Sequence, residues 1–160
     1  MMPEDPLADF LRNPVIVTTF FGWLIAQLMK VGFGIIRKRR FNFRWLVGTG
    51  GMPSSHASGV TAMTTAVGLY HGVDTALFGV ALMFAVVVIC DAQGVRRAAG
   101  EQASILNKIL DDIYWKKKIQ EDRLKELLGH TPFQIIAGIA VGLLVALLFH
   151  YFILGKQMIG

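Results

Sequence analysis

The chain has 160 residues, of which 54% are hydrophobic and 17% are charged, and its mean hydropathy is +0.52. Its apolar residues come in long blocks, which excludes an ordinary soluble domain and indicates a membrane protein. The formal net charge of +5 does not indicate nucleic-acid binding, because membrane orientation accounts for where the basic residues fall.

Four apolar segments predict an all-α integral membrane bundle with about four transmembrane helices. They cover approximately residues 14–36, 55–71, 74–92 and 132–154, within a single domain of residues 1–160. The first and the last are long enough to span a bilayer alone, whereas the middle two are short and must extend into their flanks or pack centrally. Two short helices rich in small residues also suggest a homodimer.

The polar stretch at residues 95–128 predicts an amphipathic helix at the membrane interface, because its apolar residues recur near helical spacing. Most Lys and Arg residues lie in this stretch and in the loop after the first span. The positive-inside rule therefore predicts that both long loops are cytoplasmic and that both termini lie outside.

Three polar strings lie where the predicted spans meet the membrane rim, and alternate spanning brings all three to one face. The string that ends in His56 begins a helix, whose exposed amides suit an anion. The string that begins at Asp91 contains Arg96 and Arg97, whose guanidinium groups bind phosphate oxygens bidentately. The third string holds His130. Each string also has a purely structural explanation, as a helix cap or as an ion pair at a helix end.

Lys30 and Arg37 share roughly one face of the first span, about two helical turns apart. Either both side chains reach a phosphate, or Lys30 snorkels to the headgroups and Arg37 begins a cluster that sets orientation. Two histidines and several cations on one membrane face predict a phosphate site. Cations hold the anion, one histidine attacks or activates, and the other protonates a leaving oxygen. This chemistry requires no metal and no other cofactor.

The order of these residues resembles the type 2 phosphatidic acid phosphatase superfamily, the membrane lipid phosphatases related to vanadium-dependent haloperoxidases. Lys30 and Arg37 match its Lys-x6-Arg-Pro motif, with Lys38 in place of proline. Residues 53–56 (PSSH) match Pro-Ser-Gly-His, with serine in place of glycine, and residues 129–132 (GHTP) resemble the end of its third motif. The strings GGMPSSHAS, DAQGVRRAAGEQA and ELLGHTP are closer to its divergent branch, small four-span proteins of bacterial and plastid membranes.

The resemblance implies a lipid phosphate or pyrophosphate phosphatase in which His130 forms a phosphohistidine and His56 protonates the departing alcohol. The predicted phosphate-binding residues are Lys30, Arg37, Ser54, Ser55, Arg96 and Arg97. The implied partners are a phosphorylated lipid and the surrounding membrane lipids, and the charge pattern places the site on the cytoplasmic side.

Two positions depart from the family pattern. Gln134 stands where the family has an aspartate that orients the nucleophile, and Leu124 stands where an arginine is expected. We expect Arg96 and Arg97 to replace the arginine, and either Asp91 or Glu101 to replace the carboxylate. The alternative is a non-catalytic membrane protein that binds or moves a phosphorylated lipid.

Overall fold

The computed structural model describes residues 5–39, 51–114 and 130–159, and it contains helices and no strand within those ranges. The helices are α1 (Pro6–Arg12), α2 (Pro14–Lys38), α3 (Ser55–His71), α4 (Ala76–Gln93), α5 (Val95–Tyr114) and α6 (Pro132–Ile159). The predicted all-α fold class is confirmed.

Side-chain caps define where the long helices begin. The Asn13 side chain accepts hydrogen bonds from the amides of Val15 and Ile16, at 3.0 and 3.3 Å, and Pro14 occupies the first position of α2. Ser54 caps α3 in a similar way, through a 3.3 Å bond from the Ala57 amide. These starting points follow from local chemistry, which is why the sequence predicts them closely.

Three helices are long and apolar enough to cross a membrane, over Pro14–Ile36, Ala76–Gln93 and Pro132–Phe152. The 17-residue helix α3 is not among them, and it lies between α2, α4 and α6 and contacts all three. Most of its buried residues are small: Ser55, Ala57, Ser58, Gly59, Ala62, Thr64, Ala66 and Val67. A helix that is covered by protein does not need a lipid-like surface, so four membrane helices remain a fair approximation.

Helix α3 packs against α2 and α6 where glycines let the backbones approach. A Cβ atom on Gly142 of α6 would overlap the carbonyl oxygen of Ser58 in α3. A Cβ atom on Gly22 of α2 would lie 2.5 Å from the Cβ atom of Ala62. The Ser58 hydroxyl also donates a 2.7 Å hydrogen bond to the Gly22 carbonyl. These contacts fix the position of α3 relative to both neighbours.

A short turn joins α3 to α4 and makes them neighbours. Gly72 has a φ of +94°, a conformation that strains any residue with a side chain. The Thr75 hydroxyl donates a 2.8 Å hydrogen bond to the Gly72 carbonyl and closes the turn.

The predicted interfacial segment of residues 95–128 is helical over Val95–Tyr114, and residues 115–129 lie outside the described part of the chain. Helix α5 contacts α4 and leaves Ile105, Leu106 and Ile109 exposed. An exposed apolar stripe on an otherwise polar helix is typical of a helix that lies at a membrane surface.

Candidate functional site

Backbone hydrogen bonds bring the three polar strings together at one end of the bundle. The Ser54 amide donates to the Gln134 carbonyl at 3.0 Å and joins the start of α3 to the first turn of α6. The His130 amide donates to the Ala92 carbonyl at 3.1 Å and joins the start of α6 to the end of α4. The main chain itself therefore holds these three helix ends in one place.

The two rim histidines lie next to each other in this region. The ring centroids of His56 and His130 are 6.3 Å apart, and the ring planes are inclined by 55°. His130 is only 4% exposed, whereas His56 is partly exposed. Both rings can contact one small group bound beside them, as acid–base or nucleophilic chemistry requires.

Gln134 takes part in both the start of α6 and the orientation of His130. Its side-chain oxygen accepts a hydrogen bond from the Thr131 amide at 3.1 Å, and the Thr131 hydroxyl accepts one from the Gln134 amide at 3.4 Å. This reciprocal pair is a capping box. The same oxygen lies 3.1 Å from Nδ1 of His130. Because an amide oxygen only accepts hydrogen bonds, Nδ1 of neutral His130 carries the proton and Nε2 keeps its lone pair.

Lys30 supplies a buried positive charge beside α3. Its side chain is 7% exposed, and its ammonium group donates to the side-chain oxygen of Gln27 at 3.0 Å and to the Ser55 hydroxyl at 3.2 Å. Gly51, whose φ is +92°, packs its backbone against the Lys30 stem. Both of these acceptors are neutral oxygens. A buried cation with neutral partners favours an anion nearby, because burial removes the water that would otherwise stabilise the charge.

The other predicted residues occupy different positions around this site. Ser54 is fully buried and caps α3, while Ser55 contacts Lys30. Asp91 is exposed near the end of α4, next to the carbonyl that binds His130. Three predicted phosphate-binding residues have helical backbones but side chains outside the described part of the structure: Arg37, Arg96 and Arg97.

Sequence reasoning missed Gln27 as part of the site. Gln27 is 5% exposed and precedes Lys30 by about one helical turn, on the same face of α2. A second polar side chain at this spacing within an apolar span is the signal that could have identified it. Among the side chains that the structure describes, no three of His, Cys, Asp or Glu are grouped so that they could hold a metal ion.

A groove of about 620 Å³ begins beside His56 and runs along α3 between α2 and α4. In the described residues, α2 and α4 do not contact each other, so α3 forms the floor between them. The lining is almost entirely apolar and consists of Val15, Ile16, Thr19, Phe20, Trp23, Ser55, His56, Gly59, Val60, Met63, Phe84 and Val88.

Comparisons with known proteins agree with this picture. The sequence model of a family described as the divergent PAP2 family matches residues 11–145, a range that includes Lys30, His56 and His130. The chain is 39% identical over 155 residues to a Bacillus subtilis (strain 168) protein named "Uncharacterized membrane protein YuiD". That alignment covers 90% of this chain and 98% of the relative. No solved structure matches the chain.

Proposed function

This membrane protein belongs to the divergent PAP2 family, and we propose that it hydrolyses the phosphate or pyrophosphate group of a membrane lipid through a phosphohistidine intermediate. His130 is the nucleophile and His56 is the general acid. Lys30 and Ser55 hold the phosphate oxygens, and Arg37, Arg96, Arg97 and the capping residue Ser54 complete the proposed phosphate-binding set. The reaction uses these side chains and needs no metal.

The observation that carries this proposal is the buried ammonium group of Lys30, which is hydrogen-bonded to Ser55, the residue before His56. Lys30 donates to neutral oxygens, and a phosphate there would supply the negative charge that offsets its desolvation. Ser55 accepts a hydrogen bond from Lys30, which leaves its own hydroxyl hydrogen to donate to the phosphate. Helix α3 begins at Ser55, so the positive end of its dipole also favours an anion.

The reaction then proceeds in two displacements. Nε2 of His130 attacks phosphorus, the bond from phosphorus to the lipid oxygen breaks, and protonated His56 gives that oxygen its proton. Water next attacks the phosphohistidine, His56 takes a proton from the water, and inorganic phosphate leaves as Nε2 is released. Lys30 and Ser55 stabilise the charge that develops on the phosphoryl oxygens in both steps.

Gln134 supports this chemistry by fixing the direction of the His130 ring. Its oxygen receives the Nδ1 hydrogen at 3.1 Å, and its own position is fixed by the capping box. A neutral amide stabilises a positively charged imidazole ring less than a carboxylate does, so the phosphohistidine forms more slowly than it would beside an aspartate.

Glutamine at position 134, in place of the family aspartate, also favours a second candidate function. If the amide at position 134 supports too little nucleophilic reactivity, the site binds or moves a phosphorylated lipid without cleaving it. The Lys30 cation and the helix ends around it would still hold the phosphate headgroup, because their attraction for an anion does not depend on catalysis. A carboxylate of Asp91 that assists His130 would favour the phosphatase over the binding protein. Asp91 is next to Ala92, whose carbonyl accepts the hydrogen bond from the His130 amide.

We further propose that the site faces the cytoplasm of a bacterial or plastid membrane. The excess of Lys and Arg in the two long loops supports this orientation. The proposed partners are a phosphorylated lipid and the membrane lipids around it, with no role for nucleic acid. Homodimer formation also stays a proposal; the small residues of α3 are buried within one chain and are not part of the proposed interface.

The decisive experiment measures phosphate release from a panel of lipid phosphates and diphosphates, with detergent-purified protein and no added metal. We expect His130→Ala to abolish release. The matched control His71→Ala, in which the replaced histidine is exposed at the other end of α3, should retain it. Release that persists in His130→Ala would contradict the proposed mechanism. Lipid-phosphate binding without release by the native protein would favour the second candidate.

A further inference from the structure

We propose that the groove along α3 holds one hydrocarbon chain of the phosphorylated lipid, and that Met63, about two helical turns from His56, limits the length of chain accepted. This inference rests on the proposed function, because it takes the headgroup to lie at the histidine pair. It adds a chain-binding surface and a residue that determines specificity.

The groove follows a single face of α3. His56, Gly59, Val60 and Met63 are spaced so that they lie along one side of a helix. At ~1.5 Å of rise per residue, the lining from Ser55 to Met63 extends about 12 Å along the helix. Half of a hydrocarbon core that is ~30 Å thick is about 15 Å. The part of the groove that α3 lines therefore remains within the leaflet next to the site. The α2 wall continues past Met63 to Val15 and Ile16, because the two helices are antiparallel.

The position of the polar end argues for a lipid chain as the occupant. Ser55 and His56 belong both to the groove and to the candidate phosphate site, so the two are continuous. The walls come from α2 and α4, which are both apolar enough to cross a membrane. The groove thus opens towards lipid, and a molecule with its phosphate at His56 must direct its apolar part along α3.

The size of the groove suits one chain. Its volume of about 620 Å³ falls within the range of ~300–1,000 Å³ that is typical of pockets for single small ligands. Phe20, Trp23 and Phe84 are 53%, 40% and 53% exposed, and they provide large side chains that a hydrocarbon can contact.

The groove selects among lipids by how well a chain fits it. A chain that leaves the bilayer for this groove exchanges one apolar environment for another, so hydrophobicity alone provides little preference. A chain that passes Met63 towards Val15 and Ile16 must displace its side chain or the residues around it. Met63 is the lining residue of α3 farthest from His56, so its side-chain volume sets how readily a long chain passes this point.

The test compares two substitutions at Met63 with a control on the lipid-facing surface. Met63→Trp should block the groove at this point, and Met63→Ala should widen it. We expect the ratio of kcat/KM for a long-chain to a short-chain lipid phosphate to fall about tenfold or more with tryptophan and to rise with alanine, since ~10–200-fold is typical for one methylene group in an apolar pocket. Met83→Trp, where Met83 is 64% exposed and does not line the groove, should leave the ratio unchanged.

A second readout separates this inference from the proposed hydrolysis. A lipid phosphate with a photoreactive diazirine at the end of its chain is cross-linked to the native protein, and the labelled peptide is identified. Labelling near Met63 or Phe84 without any phosphate release would support the groove and contradict hydrolysis. Phosphate release with labelling elsewhere, or with a chain-length ratio that Met63 substitutions do not alter, would overturn the groove and leave hydrolysis standing. Absence of labelling on every residue that lines the groove would also overturn it.

Discussion

Replacing Gln134 by glutamate tests whether the amide limits the reactivity of His130. Glutamate has the same length as glutamine, so one carboxylate oxygen can occupy the place of the amide oxygen. That oxygen lies 3.1 Å from Nδ1 of His130 and 3.1 Å from the Thr131 amide. Both hydrogen bonds can therefore persist in Gln134→Glu, with a negative charge added at the acceptor.

The expected magnitude follows from the strength of these bonds. A hydrogen bond between neutral groups contributes ~0.5–1.5 kcal/mol, and one with a charged partner ~1.5–3 kcal/mol. The carboxylate should thus stabilise the positively charged ring in the transition state by about 1 kcal/mol more than the amide, which corresponds to about a fivefold higher kcat. A carboxylate in the first turn of α6 should also stabilise the helix by ~0.3–1 kcal/mol.

The assay follows phosphate release and thermal unfolding of the same detergent-purified protein. Gln134→Met is the matched control, because it keeps the side-chain length and removes the acceptor. Leaving the Thr131 amide and the His130 ring without this partner should cost ~1–3 kcal/mol and lower both kcat and the unfolding temperature. A Gln134→Glu protein that unfolds at a higher temperature but reacts at the native rate would refute the reasoning, since the carboxylate would be in place without effect.

Three further predictions concern charge, packing and orientation. Lys30→Met should raise the KM for a lipid phosphate by about tenfold or more, because a hydrogen bond to a charged group is worth ~1.5–3 kcal/mol; an unchanged KM in steady-state kinetics would show that Lys30 does not hold the phosphate. Gly142→Ala should destabilise the bundle by ~1–3 kcal/mol in thermal unfolding, because its Cβ would overlap a carbonyl oxygen of α3. Gly32→Ala, whose Cβ would meet nothing within 4 Å, should instead stabilise it by about 1 kcal/mol; equal losses for the two would contradict the packing argument. With the single native cysteine replaced by serine, a membrane-impermeant maleimide should label Asp74→Cys in intact cells and Gln102→Cys only after permeabilisation, and the reverse pattern would place the site outside.

The helices were predictable because their signals are local. Asn13 and Pro14 define the start of α2, and Thr131 with Pro132 lies at the start of α6, in both cases beside a long apolar block. The strings around His56 and His130 were also predictable as neighbours, because alternate membrane crossing leaves both at the same face. The backbone bond between Ser54 and Gln134 is consistent with that reasoning.

The detailed contacts of the site were not predictable, because they depend on how helices are rotated against each other. The sequence leaves open whether Lys30 snorkels or points into the bundle, and its bonds to Gln27 and Ser55 show that it points inward. The capping role of Gln134 is already indicated by the pattern Thr-x-x-Gln, whereas its contact with His130 depends on how the ring is oriented in the folded protein. The groove arises from the separation of α2 and α4 across α3, which is a tertiary property.

The weak hydropathy of α3 has a consequence for biogenesis. A segment of 17 residues whose buried side is mostly glycine, alanine, serine and threonine has little tendency to enter a bilayer by itself. Its insertion therefore depends on helices already present in the membrane, and its final burial depends on α6, which leaves the ribosome after α3. His56 lies on α3 and His130 precedes α6, so the two histidines can meet only after α6 has been synthesised.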